Sequence, residues 1–450
     1  MNVKKTCIVF LIALTAFQLT AQQKWSLEEC VAYALEHNLQ LNDFEYTAQA
    51  NKETYRQSVR NLLPDINAST GYAINFGRST DPFTNDVVTT EFFSNGYNLD
   101  ASIDLFQGFQ KLNSIKASKF LKEATREEAL QQRYLLAFRV MQAFYDIQFS
   151  EGLVTISEEQ VAISQTNYDL VKRQIELGLM AGADLYEAES LLLTDQLALT
   201  QIQNQLATAK LQLIQEMNLE NENDISILYN MGETDFFKDA TKIRTDSIYA
   251  VSEGFLPLIK GQELRAKAAQ KQLAVERGRL YPSLAMFWGV GTGYFETTRD
   301  TLGNTIPFRD QFRDNTFQNV GLSLRIPISN RWAQRSRVKQ GKIEKLRAQN
   351  NLDIQRQVLF QTIQQLVQEY NSLRVEQEQS VQNVEAQNLA FTIAQRRYER
   401  GLINALELST AKNLFANAQN VDLQVRLRLE VNKSTLDFYR GLPVFDVDAP

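Results

Sequence analysis

Of two long helix-forming stretches of the chain, the second carries apolar residues at alternating intervals of three and four, which is the pattern of a helix with one buried face. In the second stretch the residues that share this phase are Ile363, Leu366, Tyr370, Leu373, Val384, Phe391, Ala394 and Tyr398. Polar residues interrupt the stripe at Gln377, Ser380 and Gln387. The pattern therefore predicts a long coiled-coil helix whose packing face is thin and half polar.

Proline positions set the limits of these helices, because proline removes a helix hydrogen bond and clashes with the preceding turn. The eight prolines leave residues 83–256 and 328–442 without one, and helix-forming residues dominate both windows. We predict helices at about 27–36, 40–62, 110–177, 184–218, 247–281, 332–400 and 407–440. The longest would span roughly 100 Å, well beyond the roughly 45 Å diameter of a compact domain of this chain length.

Four other segments alternate between apolar and polar residues with a period of two, which predicts strands with one apolar face. They are residues 66–76, 97–105, 283–294 and 320–328. Strands of about ten residues with this alternation are typical of a transmembrane β-barrel. A soluble sandwich would bury the same face, but four strands offer too little surface to anchor such long helices.

Four strands also cannot close a membrane barrel, for which about eight is the practical minimum. Because open sheet edges are not tolerated in lipid, several copies of the chain must contribute strands to one barrel. Two copies would supply eight strands and three copies would supply twelve.

The chain contains an internal duplication. Residues 168–219 align without a gap on 391–442, with thirteen identities in 52 positions, and Gly178-Leu179 falls on Gly401-Leu402. Before the strands the offset changes from 223 to 218, so the second half holds five extra residues between its strands. The predicted structural repeats are residues 22–230 and 231–450.

Residues 1–21 have the order of a secretory signal peptide. Lys4 and Lys5 precede the apolar run 8–17, and small residues follow before Gln22. An uncleaved anchor helix is the alternative, but the run is shorter than the ~18–20 apolar residues that a spanning helix needs. No later stretch reaches that length. A secreted chain of this kind enters a membrane only as a closed barrel.

Composition argues against an enzyme, a metal site and a nucleic-acid partner. The 47 basic and 53 acidic residues give a net charge of −6, which becomes −8 without the signal peptide, so the chain lacks the basic surface that binds nucleic acid. His37 is the only histidine and Cys30 the only cysteine of the mature chain. They cannot build a zinc site, and no nucleophile or phosphate-loop motif is present. We therefore predict no enzymatic activity and no cofactor, with Cys30 a small buried residue and His37 a helix-end residue.

These features in combination resemble the TolC-like family of outer-membrane efflux and secretion channels. The resemblance covers the mature chain and rests on the duplication, the opening segment 25–35, the Leu-Pro and Tyr-Pro pairs before the strands, and the Gly-Leu turns at 176–185 and 398–408. The implied fold is mainly α with a small β membrane part, in which long coiled coils form a helical barrel. Four strands per chain would contribute to a trimeric, twelve-stranded β-barrel.

The resemblance also implies a location and partners. The barrel would lie in outer-membrane lipid and the helical tube in the periplasm, with an equatorial belt that includes residues 220–246 and the C-terminus. A homotrimer would act as the passive exit duct of a tripartite efflux or type I secretion system, docked to a periplasmic adaptor protein and, through it, to an inner-membrane pump. On the residues alone, a periplasmic adaptor and a secreted coiled-coil structural protein are the alternatives.

Two kinds of site follow from the resemblance. The Gly-Leu turns would form the periplasmic tip that docks the adaptor, at Gly178, Leu179, Gly401 and Leu402. The aperture gate would include Asp184, Tyr398 and Glu407. For Glu407 the alternative is a solvated acid at a helix start, which the helix dipole favours. Two residues depart from the family pattern at the gate, Ile403 in place of a latch arginine and Thr410 in place of a second acid.

A basic cluster follows the fourth predicted strand and surrounds Trp332. Its members are Arg331, Arg335, Arg337, Lys339 and Lys342. The cluster either meets lipid headgroups on the periplasmic side of the membrane or forms a solvated helix face, and the sequence does not decide between the two.

Overall fold

The computed structural model describes residues 24–80, 85–89, 91–178, 181–220, 222–228 and 244–447. The predicted signal peptide and Leu179 lie outside these described residues. The helices are α1 (Leu27–His37), α2 (Leu39–Arg60), α3 (Gln110–Glu176), α4 (Gly182–Met217), α5 (Thr245–Phe255), α6 (Pro257–Gly278), α7 (Phe308–Asp314), α8 (Ala333–Glu399) and α9 (Ala405–Tyr439). The strands are β1 (Lys24–Trp25), β2 (Asp65–Asn75), β3 (Arg78–Thr80), β4 (Val87–Thr89), β5 (Phe92–Gln107), β6 (Ser226–Ile227), β7 (Ser283–Phe295) and β8 (Phe317–Arg325). None of the described helices combines the length and apolar character needed to cross a membrane.

Six of the seven predicted helices are confirmed, with ends that shift by at most two residues. The seventh prediction, one helix over 247–281, is wrong, because α5 ends at Phe255 and α6 begins at Pro257. Leu256 between them is extended, with ψ 124°, since the residue before a proline avoids the helical conformation. Pro257 then serves as the first residue of α6, where no intrahelical hydrogen bond is lost.

The hydrophobic pattern does not predict the short elements. Helix α7 has 7 residues, β3 and β4 form a small hairpin, and β1 pairs in parallel with β6. Each of these elements is too short to display a hydrophobic period.

The duplication is visible in the bounds of the helices. Helices α3 and α8 each have 67 residues, and their ends lie 223 positions apart. Helices α1 and α2 recur as α5 and α6 at an offset of 218. The predicted boundary between the repeats, at 230–231, lies outside the described residues and stays a prediction.

The four long strands form one antiparallel sheet in the order β2-β5-β7-β8, which confirms the four predicted strands. Leu99 of β5 lies opposite both Ala68 of β2 and Val290 of β7, and Leu322 of β8 lies opposite Met286 of β7. The apolar residues of all four strands therefore share one face, much of which is exposed. Strands β2 and β8 are outermost, and neither has a further strand partner in the described part of the chain.

The contacts divide the described chain into two compact units. The sheet unit comprises residues 46–127 and 259–355, and the helical unit comprises residues 24–45, 128–258 and 356–447.

Within the helical unit, α1 begins with a capping box in which Ser26 and Glu29 bond each other's backbone N–H groups. Cys30 follows in the core and is fully buried, and burial raises the pKa of its thiol to about 12. His37 ends α1, with Nδ1 3.0 Å from the carbonyl oxygen of Tyr33. Both residues lie as predicted, one in the core and one at a helix end.

Candidate functional site: the two hairpin tips

The turn after α8 is closed by a Schellman motif. The N–H of Gly401 donates to the carbonyl oxygen of Tyr398 at 2.8 Å, and the N–H of Leu402 donates to that of Arg397 at 2.9 Å. Gly401 has a φ of +71°, and no heavy atom lies within 4 Å of the position a Cβ would take. The backbone conformation, rather than lack of space, therefore requires glycine here. Leu402 next to it is 68% exposed.

The turn after α3 is built in the same way at its described residues. Gly178 has a φ of +75°, and its N–H donates to the carbonyl oxygen of Ile175 at 2.9 Å. Leu177 is exposed beside it. Both predicted tip glycines are thus left-handed helix-ending residues, while their role in docking an adaptor stays a prediction.

The two predicted gate acids occupy equivalent positions in the first turn of the return helices. The N–H of Glu407 donates to Asn404 Oδ1 at 2.8 Å, so Asn404 caps α9. Asp184 Oδ2 instead accepts a hydrogen bond from the N–H of Ala181 at 3.2 Å. The carboxylate of Asp184 is therefore held against its own helix, whereas Glu407 is exposed on α9.

Tyr398, the third predicted gate residue, is buried where four helices meet. The other buried members of its cluster come from α3, α4, α8 and α9 and are Val171, Ala188, Phe391 and Leu408. Burial raises the pKa of the Tyr398 hydroxyl, the charge of Asp184 raises it further, and the side chain of Asn167 lowers it. Tyr398 therefore packs the first helical hairpin, formed by α3 and α4, against the second, formed by α8 and α9, and Leu185 next to Asp184 packs against the same cluster.

The two departures from the family pattern have local roles. Ile403 packs against the cluster around Tyr398. The hydroxyl of Thr410 donates to the carbonyl oxygen of Leu406 at 2.8 Å, inside its own helix. Neither residue supplies a charged contact at the tip.

A buried ionic cluster, which the sequence pattern does not predict, ties α9 to the first hairpin. Lys412 of α9 is 3% exposed, and its ammonium group donates to Ser164 Oγ of α3 at 2.7 Å and to Asp195 Oδ2 of α4. Ser164 also donates to the same carboxylate oxygen. No motif marks these residues, because each is an ordinary polar residue on a long helix and only the packing of three helices brings them together.

Two of the three polar residues that interrupt the stripe on α8, Gln377 and Ser380, share a partner on α9. Gln377 Nε2 donates to Asp422 Oδ1 of α9 at 2.9 Å, and Ser380 Oγ donates to the same atom at 2.7 Å. Gln377 and Ser380 are buried. The half-polar face predicted for α8 is therefore a specific polar contact within the second hairpin.

Comparisons with known proteins agree with this architecture. The family model described as outer membrane efflux protein matches residues 31–218 and 256–442, which covers most of both repeats. The cation efflux system protein CusC of Escherichia coli O157:H7 is 22% identical over 90% of this chain and 84% of its own length. The toluene efflux pump outer membrane protein TtgC of Pseudomonas putida is 22% identical over 94% of this chain and 85% of its own.

Solved structures show the same fold at lower sequence identity. The CmeC outer membrane channel of Campylobacter jejuni superimposes with a TM-score of 0.79 and 15% identity, over 94% of this chain and 87% of that one. The open state of the MtrE outer membrane channel of Neisseria gonorrhoeae gives a TM-score of 0.74 and 17% identity, over 93% and 89% of the two chains. At these identities the comparison establishes the fold alone.

We predict that Lys412→Met lowers the unfolding temperature of the purified protein in detergent, measured by intrinsic fluorescence. Methionine replaces most of the apolar stem of lysine but leaves the carboxylate of Asp195 without its cation, and removal of one partner of a buried ion pair typically costs about 3 kcal/mol. The double variant Lys412→Met/Asp195→Leu should recover most of the loss.

The control is Lys172→Met, since Lys172 is exposed on α3. It should leave the unfolding temperature unchanged. An unfolding temperature of Lys412→Met equal to that of the control would show that the buried cluster does not stabilise the hairpins.

Proposed function

Because the chain belongs to the outer membrane efflux protein family, we propose that three copies of it form the exit duct of a tripartite efflux system. The family is one of channel proteins, and the chain is an outer-membrane efflux channel whose helical part lies in the periplasm. Membership sets aside the adaptor and structural-protein alternatives. The observation that carries the multi-copy duct is that β2 and β8, the outer strands of the sheet, have no further strand partner among the residues that the structure describes.

The duplication supplies the register in which one copy would pair with the next. Strand β2 corresponds to β7 at an offset of 218, and β5 corresponds to β8 at an offset of 223. Applied to the pair Ala68–Leu99, these offsets give Met286–Leu322, which is an observed pair of β7 and β8. The offsets therefore hold for the strands of the sheet.

The same offsets convert the pairing of β5 with β7 into a pairing of β8 with β2 of the next copy. The observed pair Leu99–Val290 becomes Leu322 opposite Tyr72 of the next copy. Apolar residues meet on the shared apolar face, as they do inside the chain. Each copy would use both of its free edges in this way, and the ring of copies would close.

Three copies suit a duct better than two. In a barrel of about eight strands the interior is filled by side chains, whereas a larger barrel leaves a channel. The face opposite the apolar one carries small and polar residues, among them Asn98, Asp100, Gly289, Gly291 and Gly293. A twelve-stranded barrel with this face inward would be open and hydrated, and its apolar face would contact lipid.

The hairpin tips would dock the periplasmic adaptor, at the end of the duct where the cargo enters. Leu402 and Leu177 are exposed apolar residues at turns whose backbone is fixed by hydrogen bonds. Rigid turns that present an apolar side chain favour protein docking, because little conformational entropy is lost on binding. We assign these turns, with Gly178 and Gly401, to the contact with a periplasmic adaptor, through which an inner-membrane pump would supply the energy.

The gate would consist of Asp184, Tyr398 and Glu407. Tyr398 packs the two hairpins together in a cluster that Leu185, the neighbour of Asp184, also joins, so movement of one hairpin against the other would disturb this packing. Glu407 is exposed on the first turn of α9. Three copies of its carboxylate around a narrow opening would attract cations and repel anions.

Similarity to the relatives does not identify the cargo. One relative is named for cations and another for toluene, yet both are 22% identical to this chain. We propose that the pump, rather than the duct, selects what is exported.

We predict that cysteines placed at Leu322 and Tyr72 cross-link between copies. Cross-strand Cβ atoms lie about 4.5–5.5 Å apart. Within one chain the two positions lie on the two outer strands, which are three strand spacings or roughly 14 Å apart, and they are also far apart along the strands, so they cannot cross-link with each other. A non-reducing gel of the oxidised protein should show a ladder that ends at three chains.

The control pair is Gly321→Cys with Tyr72→Cys. A slip of one residue directs the two side chains to opposite faces of the sheet, so this pair should not cross-link. A ladder that ends at two chains would exclude the trimer, and equal cross-linking of both pairs would exclude the register.

We predict that Leu402→Asp reduces co-purification of the periplasmic adaptor by about ten-fold or more, as expected for an exposed apolar contact at the centre of an interface. The control is Leu389→Asp, at a similarly exposed leucine of α8. Both variants should retain the oligomer of the unmodified protein on size-exclusion chromatography. Equal adaptor binding by the two variants would remove Leu402 from the docking site.

We predict that Glu407→Gln weakens the cation preference of the channel in planar bilayers, measured as a reversal potential under a salt gradient. The variant removes charge at the proposed constriction without changing side-chain size. Glu376→Gln, at an exposed acid of α8, is the matched control and should keep the original selectivity. Unchanged selectivity in Glu407→Gln would exclude Glu407 from the gate.

A further inference from the structure

The junction between β8 and α8 carries an unusual concentration of positive charge. Residues 325–343 contain no carboxylate, and their six cations are Arg325, Arg331, Arg335, Arg337, Lys339 and Lys342. The corresponding segment of the first repeat, residues 102–120, contains three lysines and one aspartate. The excess of charge is therefore a property of the second repeat and is not required by the shared fold.

The backbone of this junction is the same in both repeats although the residues differ. Gly108 and Phe109 have φ of +59° and +61°, and the equivalent Arg331 and Trp332 have φ of +54° and +63°. Glycine adopts this conformation without strain, whereas arginine does not. An arginine held in a strained conformation where the first repeat uses glycine points to a role for its side chain.

Neighbouring contacts fix the first turn of α8. Gln334 is buried, and its Nε2 donates to the carbonyl oxygen of Glu276 at 2.7 Å and to that residue's carboxylate at 3.1 Å. The guanidinium group of Arg335 lies over the ring of Trp332, 4.3 Å from its centroid. Trp332 itself is 68% exposed. The junction thus presents an aromatic ring and a guanidinium group on a rigid support.

The cations of this junction have no ion-pair partner among the described residues. By contrast, Lys111 of the first repeat lies 2.9 Å from Asp104, and Lys119 lies 3.9 Å from Glu123. The charges do not stabilise α8 either, because cations are unfavourable at the N-terminal end of a helix. They are available to an anion from outside the chain.

The position of the junction indicates which anion. The apolar face of β8 is exposed at Val320, Leu322 and Leu324, and exposed isoleucines continue it at Ile326 and Ile328. This end of β8 leads into a helix, and the helical part of the channel lies in the periplasm, so the junction follows directly on the lipid-facing surface at its periplasmic side. Tryptophan and arginine side by side at this level match the interface between acyl chains and headgroups.

We propose that the Arg331–Arg335 junction is a binding site for the phosphate headgroup of anionic glycerophospholipids in the periplasmic leaflet. Arg331 and Arg335 bind the phosphate, since guanidinium groups form paired hydrogen bonds with phosphate oxygens. Trp332 lies at the boundary between headgroup and acyl chain. The site needs only the outer-membrane location of the channel and is independent of adaptor docking at the hairpin tips.

The test uses Trp332 as its own reporter. In a Trp25→Phe/Trp288→Phe background Trp332 is the only tryptophan left. The full-length protein in neutral detergent is titrated with phosphatidylglycerol or phosphatidylcholine brominated near the headgroup, and quenching is recorded. Each cation near an anionic surface contributes roughly five-fold, so phosphatidylglycerol should half-quench at a mole fraction about twenty-five-fold lower than phosphatidylcholine.

The decisive variant is Arg331→Gln/Arg335→Gln, for which the two lipids should quench alike. Its control is Lys116→Gln/Lys119→Gln, which removes the same charge from the equivalent face of α3 and should preserve the selectivity. A second measurement keeps all three tryptophans and compares the rise in unfolding temperature that each lipid produces.

Three results would overturn the proposal. Equal quenching by both lipids in the parent protein would mean an interfacial tryptophan without headgroup selectivity. Equal loss of selectivity in both double variants would mean attraction by bulk charge alone. Absence of quenching, or dissociation of the Arg331→Gln/Arg335→Gln oligomer in lipid-free detergent, would mean that a neighbouring copy covers these cations.

Discussion

Backbone N–H and C=O groups in the hydrocarbon of a membrane have no water to bond, so each must find a partner in protein. The sheet meets this requirement for β5 and β7, which lie between other strands, whereas the described part of the chain supplies no strand to pair with the outer edges of β2 and β8. The rest of the proposed assembly depends on this deficit. Because β8 corresponds to β5 and β7 corresponds to β2 in the internal duplication, the contact of β5 with β7 displays the geometry that we propose between neighbouring copies.

Long helices with a thin apolar face need polar contacts to fix their alignment along the helix axis. A coiled coil can slip along its axis when its stripe is weak, since neighbouring registers bury similar apolar area. The contacts of Asp422 with Gln377 and Ser380, and the buried contact of Lys412 with Asp195, make such slips costly, because a displaced charge would be buried without a partner. Polar residues on these faces thus trade some stability for alignment of the hairpins.

The sequence predicts those parts of the fold that a local rule determines. Period-two alternation predicted the four long strands, and proline-free windows predicted the 67-residue helices. The Gly-Leu turns can be identified in the sequence because the left-handed conformation that ends each helix favours glycine, which stands at 178 and 401. The prediction of one helix over 247–281 is wrong because the apolar pattern continues through Pro257, before which α5 ends. The duplication indicates this break between helices, since Asn38 separates α1 from α2 at the position equivalent to Leu256.

A site that depends on how distant helices turn toward one another cannot be predicted from local patterns. Ser164, Asp195 and Lys412 lie on three helices, and only packed helices reveal that they meet. The candidate gate lies between these cases. The equivalent positions of Asp184 and Glu407 follow from the duplication, and the burial of Tyr398 agrees with its place in the apolar stripe. Whether three Glu407 side chains face one another is a property of the assembly rather than of one chain.

The equal lengths of α3 and α8 limit how such a channel can change in evolution. One residue inserted in a helix rotates everything beyond it by about 100° and would separate paired contacts on the two sides of a hairpin. A tolerated insertion must therefore add a near-integral number of turns, close to seven residues, at matching depth in outgoing and returning helices of both hairpins. Relatives that span a wider periplasm should thus differ from this chain by coordinated heptads, while their turns stay the same size.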